Sequence, residues 1–198
     1  RFQRTSVDRP DRQRQNLANE IPQQVRQARV GRDGECTAPL ETVQRALAKG
    51  EYERVLALTS EQVNDATCCI LRVRALASLD TAKAEAFCRQ ALSQHRVSKE
   101  LHYLQAILLT ELARYGDAMA SARSAVYLDQ NLIVGHLALG CALERLGQTA
   151  AACRSFRNAQ RLSEAWPIDQ PVPFADGESA ERLAESASQH LAILSGDA

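Results

Sequence analysis

From about residue 40 onward, apolar side chains return every three or four positions, and no comparable stretch alternates every second one. That spacing puts the apolar positions on one face of an α-helix, so the chain reads as all-α. Interruptions divide the pattern into helix pairs at 39–48 with 52–60, 65–78 with 82–94, 98–112 with 116–128, and 132–146 with 149–162. Asp65, Ser98 and Asn131 stand before the first helix of the later pairs and are the expected N-caps. Gly50, in Lys49-Gly50-Glu51-Tyr52, ends one helix and Tyr52 opens the next. After residue 163 the pattern stops, because Trp166-Pro167 and Pro171-Val172-Pro173 forbid a continuing helix. A last amphipathic helix over 178–194 follows from Leu183, Ala187, Leu191 and Leu194.

The pairs repeat. Ala84, Ala118 and Ala152 are 34 residues apart, as are Ala91, Ala125 and Ala159. His102 and His136 keep the spacing, with Cys68 one period earlier, and Leu109 matches Leu143. Small residues at fixed places suit helix crossings, where a bulky side chain would force the axes apart. The period and the residues Leu139-Gly140, Leu143, Gly147, Ala152, Phe156 and Ala159 resemble the tetratricopeptide (TPR) repeat, one helix–turn–helix per repeat. The resemblance implies a TPR solenoid of about three full repeats, a degenerate N-terminal repeat and a C-terminal capping helix. Such a helix covers the last apolar face of a stack.

Three segments follow: residues 1–37, 38–163 with the repeats, and 164–198 with the Pro-rich turn and capping helix. Residues 1–37 hold eight Arg against five acids, a net of +3, and read as a flexible linker. Within them Leu17, Ile21, Val25 and Ala28 share helical spacing, so 14–30 is a candidate groove-binding helix, weakened by Pro22. The remainder holds 16 basic residues against 19 acids, a net of −3. Neither balance points to nucleic acid, which needs a concentrated basic patch. No run of about 18 apolar residues exists for membrane insertion. The Arg at position 1 suggests a piece of a longer protein, and cysteines without disulfide or metal spacing read as buried thiols of a reducing cytoplasm.

In a curved stack of this kind the first helix of each pair lines the concave surface. By register that surface holds Cys69, Val73, Leu76, Tyr103, Ile107, Leu137 and Cys141, with Glu111, Glu144 and Arg145 near its edge. Such an apolar groove is unfavourable in water at about 25 cal/mol per Å² and calls for a cover. The covers weighed are a partner helix, residues 14–30 of the same chain, or the same segment from a second copy forming a homodimer; the alternative is a tight superhelix in which these residues simply pack together. The Lys, Arg and Asn clamp with which cochaperone TPRs hold a terminal carboxylate is missing, so acidic chaperone tails are not expected there. His102 and His136 sit where TPRs carry a large space-filling residue and have no carboxylate at ligand spacing. Of the six cysteines, Cys36, Cys68, Cys69, Cys88, Cys141 and Cys153, no two form a CxxC pair, and none has the surroundings of an activated nucleophile. No phosphate loop or nucleophile elbow is present. The expectation is therefore no catalysis, no metal and no cofactor within this segment.

A narrower resemblance lies in Glu100-Leu101-His102-Tyr103-Leu104-Gln105-Ala106, Ser124-Ala125-Val126-Tyr127-Leu128-Asp129 and Val134-Gly135-His136-Leu137-Ala138-Leu139-Gly140. The tail adds Phe156-Arg157-Asn158-Ala159 and Pro171-Val172-Pro173-Phe174-Ala175-Asp176-Gly177. Over about residues 65–194 the chain resembles the C-terminal TPR extension of CheR-type chemoreceptor methyltransferases, as in Wsp and Frizzy-type signalling. In that family an upstream domain moves methyl groups from S-adenosylmethionine to receptor glutamates, and the resemblance implies a docking or regulatory role toward a chemoreceptor or signalling complex. Two other readings stand beside it: an adaptor of another bacterial assembly, and a self-association module exchanging residues 14–30.

Overall fold

A computed structural model describes residues 39–60 and 64–196 of the chain. The linker over 1–37, the helix over 14–30 and Cys36 lie outside the described residues. The described residues form nine α-helices and no strand. In order these are α1 (Leu40–Ala48), α2 (Tyr52–Leu58), α3 (Ala66–Ala77), α4 (Thr81–Gln94), α5 (Lys99–Glu111), α6 (Tyr115–Leu128), α7 (Ile133–Arg145), α8 (Thr149–Glu164) and α9 (Ala180–Ser195).

Caps set the starts. The Asp65 carboxylate accepts the backbone N–H groups of Thr67 at 3.0 Å and Cys68 at 3.4 Å, and the Ser98 hydroxyl accepts that of Leu101 at 3.2 Å. Both satisfy donors that the first helical turn leaves without partners. Asn131 is the exception. Its own N–H is taken by the Asp129 carboxylate at 2.9 Å, and α7 starts at Ile133 with Leu132 in the cap position and no side-chain cap. Leu132 is buried with Ile133 and Val134, and that apolar burial outweighs the roughly 1 kcal/mol a side-chain cap supplies.

Each helix packs on its successor, and the odd-numbered helices also touch the next odd-numbered one, so the pairs stack in sequence. The small residues of the repeat lie where the crossings are tight: Ala84, Ala118, Ala152, Ala125 and Ala159 are fully buried. One crossing shows why volume matters. A Cβ on Gly140 would stand 2.6 Å from the fully buried Phe156 ring, whereas one repeat earlier the same two positions are Ala106 and Ala122. The ring on α8 thus fits because its neighbour on α7 has no side chain. Beyond α8, α9 packs mainly on α8 and also meets α7, the place that a further first helix would take.

Candidate functional site

The odd-numbered helices build the face on which the predicted groove residues were placed, and they fall into two groups. Cys69 and Val73 of α3 are 1% and 0% exposed, enclosed among Ala84, Cys88, Leu101 and Leu108, where they offer no surface to a partner. Leu76 packs against the same cluster and is half-buried. Tyr103, Ile107, Leu137 and Cys141 of α5 and α7 come together farther along, each half-buried. Glu144 joins them, its carboxylate 2.9 Å from Nδ1 of His190. Of the edge residues, Glu111 accepts a hydrogen bond from the Thr81 hydroxyl at 3.1 Å, and Arg145 is exposed.

This second group is covered by the chain itself. Tyr103 and Leu137 pack against a cluster holding Val172 and Ala175, which Phe174 also joins. Ile107 and Cys141 pack against a cluster that includes Ala187 of α9, with Leu191 and Leu194 beside it. The His190 ring stacks on Phe156 with centroids 4.5 Å apart and planes 6° from parallel. The cover over Tyr103 and Leu137 comes from the segment between α8 and α9, which the sequence marked as helix-breaking; the signal for its packing role was the apolar Val172, Phe174 and Ala175 among the prolines.

The covering segment is held at its far end by an ion pair between Asp176 and Arg74 of α3. It turns sharply there: Phe174, Asp176 and Gly177 have φ of 62°, 52° and 89°. Left-handed backbone at a bulky residue costs on the order of 1–3 kcal/mol and persists only where packing enforces it. Next to Phe174 an open cleft of about 790 Å³ remains, lined by Gln44, Ile70, Leu71, Arg74, Glu100 and neighbouring residues.

Electrostatics keep the face chemically quiet. Burial pushes the Cys141 thiol up, with Glu144 adding to the shift, and burial likewise raises the Tyr103 hydroxyl and the Cys69 thiol. Cys88 is pushed up to about 12, first by burial and then by Glu85, and its thiol donates to the Leu101 carbonyl at 3.3 Å. A thiol so raised stays protonated near neutral pH and is a poor nucleophile. The two repeat-related histidines are occupied in the same way: Nε2 of His102 meets the Arg96 carbonyl and Nε2 of His136 the Gln130 carbonyl, both at 3.0 Å. Burial holds His136 below the usual imidazole range. Among the described residues no group of three or more His, Cys, Asp or Glu is arranged to hold a metal ion, and no helix is long and apolar enough to cross a membrane.

No protein-family model matches the chain, and no curated protein matches it. Solved structures do. A MamA RS-1 ArsTM double mutant and MamA 41-end from Desulfovibrio magneticus RS-1 each share 19% identity at a TM-score of 0.58, over 79% of this chain and 90% of theirs. A further crystal structure of MamA protein shares 11% identity at a TM-score of 0.58, over 78% of this chain and 87% of its own. MamA is a TPR-like helical repeat protein, and the likeness establishes the fold of this chain as a TPR-like helical repeat.

Proposed function

We propose that this chain is a protein-docking module with no chemistry of its own, and that its partner engages the face of α5 and α7 around Tyr103, Ile107, Leu137 and Cys141. The observation that carries the reading is that a short non-helical segment, residues 171–176, already packs Val172, Phe174 and Ala175 against Tyr103 and Leu137 of this face. A surface that receives one short apolar segment has the shape and chemistry to receive another. A partner takes the segment's place on this face. Tyr103→Ala combined with Ile107→Asp tests this. Crosslinking capture of partners should fall while helical circular dichroism stays intact, and unchanged capture would move docking off this face.

The residue strings that resemble CheR-type methyltransferases support a finer version, in which the stack is the docking extension of a cytoplasmic receptor-glutamate methyltransferase. Docking then acts through proximity, since a tether of suitable reach raises local substrate concentration to about millimolar. The reading frame upstream of this segment decides it: an S-adenosylmethionine-binding domain there is the expected finding. A frame without one removes the finer version and leaves the docking module standing.

A further inference from the structure

The outer side of the stack, where α6 and α8 lie, carries two adjoining shallow clefts of about 410 and 430 Å³. The first is lined by Arg96, His102, Arg123, Ser124, Tyr127 and Leu128. The second shares Arg123 and Tyr127 with it and adds Arg161, Asn158, Gln130 and Val126, among others. Tyr127 stands between them at 84% exposure, among the most exposed of the large apolar side chains.

The charges here are segregated. No carboxylate lines either cleft. Elsewhere in the described residues the arginines are often paired: Arg54 with Glu51, Arg74 with Asp176, Arg89 and Arg114 with Glu85, and Arg182 with Glu178. Arg96, Arg123 and Arg161 form no such pair among the described residues, although the repeats and tail together carry a net of −3. Arg157, one turn before Arg161 on α8 and one repeat after Arg123, is exposed and likewise has no ion-pair partner among the described residues. Three guanidiniums lining two adjoining clefts, with Arg123 common to both and no carboxylate among the lining residues, form a surface complementary to carboxylates.

We infer that these clefts dock an acidic peptide segment of a partner protein, its carboxylates meeting Arg96, Arg123 and Arg161 and an apolar or aromatic side chain resting on Tyr127. The peptide is favoured over nucleic acid for two reasons. A strand of phosphates gains affinity from many cationic contacts, and only three line this surface on an otherwise acidic stack. The exposed tyrosine and the apolar Val126 and Leu128 suit a mixed acidic and apolar segment. This surface lies apart from the face of α5 and α7, so it deepens the docking reading by adding the class of partner.

The test uses the full chain and a fluorescein-labelled short peptide of aspartate and glutamate with one central phenylalanine, read by fluorescence anisotropy. Binding should weaken with salt, as exposed charge pairs are screened. Arg123→Glu with Arg161→Glu should weaken it by at least about tenfold, a change of roughly 1.4 kcal/mol. Tyr127→Ala should weaken it too, and Arg54→Glu, at an exposed arginine of α2 outside both clefts, should leave it unchanged. Circular dichroism checks that each variant is folded, and Arg123→Gln with Arg161→Gln replaces the reversed pair if it is not. A wild-type chain that ignores the peptide, or a doubly reversed chain that binds it as well, overturns the inference. So does a single-stranded oligonucleotide that binds more tightly than the peptide and competes with it. Peptide binding absent while Tyr103 and Ile107 still govern partner capture sinks this surface alone; the reverse pattern sinks the docking face on α5 and α7 alone.

Discussion

Gly140 and Phe156 divide one volume between them, and the division predicts opposite effects for two similar substitutions. Replacing a helical glycine by alanine normally gains up to about 1 kcal/mol of helix propensity. At Gly140 the new methyl would meet the Phe156 ring at 2.6 Å, so Gly140→Ala should instead destabilise by about 1–3 kcal/mol. Gly116 on α6 has nothing within 4 Å of the same methyl, and Gly116→Ala should stabilise; urea unfolding of the two variants reads both signs. Backbone conformation gives a second contrast. Gly147 ends α7 with φ of 69°, and Ala113, one repeat earlier, adopts 57° with a side chain that resists it. Ala113→Gly should therefore stabilise the fold, by about 0.5–1 kcal/mol, seen as a higher urea midpoint. At His136 the depressed folded value means that, as pH falls through about 6.5, the unfolded chain takes up a proton first. Its contribution is full above that pH and is lost as pH falls toward the folded value, so melting temperature should drop between about pH 7.5 and 5.5, less steeply in His136→Phe. Asp129, lowered chiefly by its hydrogen bond from Lys99, acts in a separate window: its contribution holds above about pH 4 and is lost below it.

The helices themselves were legible because two signals agreed: apolar spacing near 3.6, and alanines recurring every 34 residues at crossings too close for anything larger. Asp65 and Ser98 were legible as caps because polar residues preceded polar-to-apolar transitions. Asn131 looked the same in sequence, but its neighbour Leu132 is drawn into the core and Asp129 claims its N–H. Thermal unfolding should register the difference: Ser98→Ala should cost about 1 kcal/mol and Asn131→Ala close to nothing. Ala152→Leu, at a fully buried crossing, should cost about 1–3 kcal/mol in the same assay. Of the site, the positions of Tyr103, Ile107, Leu137 and Cys141 on one face could be read from register. What could not be read is the depth of Cys69 and Val73, which depends on α4 and α5 closing over α3, or the route of residues 171–176. Neither proline nor a left-handed phenylalanine has a periodic signature. The clustering of Arg96, Arg123 and Arg161 was equally hidden, since it appears only when successive repeats are laid side by side.

At the scale of the molecule, a stack of helix pairs is ordinarily a chain of neighbours: each pair contacts the ones beside it, and ends loosen before the middle. The exposed pair between Arg74 and Asp176 adds at most about 1 kcal/mol by itself, so Arg74→Ala should shift overall stability little. Its position matters more than its strength. It joins residues 102 apart in sequence, and the segment carrying Phe174 lies along the stack between them. That tie lets one segment clasp α3 while it packs on α5 and α7. Amide exchange in α3 and α7 should then slow and quicken together, and a chain ending at Gln170 should exchange from its last pair inward, with a shallower denaturation curve. Such a clasp has a single point of release: whatever frees Asp176 from Arg74 and lifts Phe174 away from Tyr103 and Leu137 would uncover α3, α5 and α7 in one event.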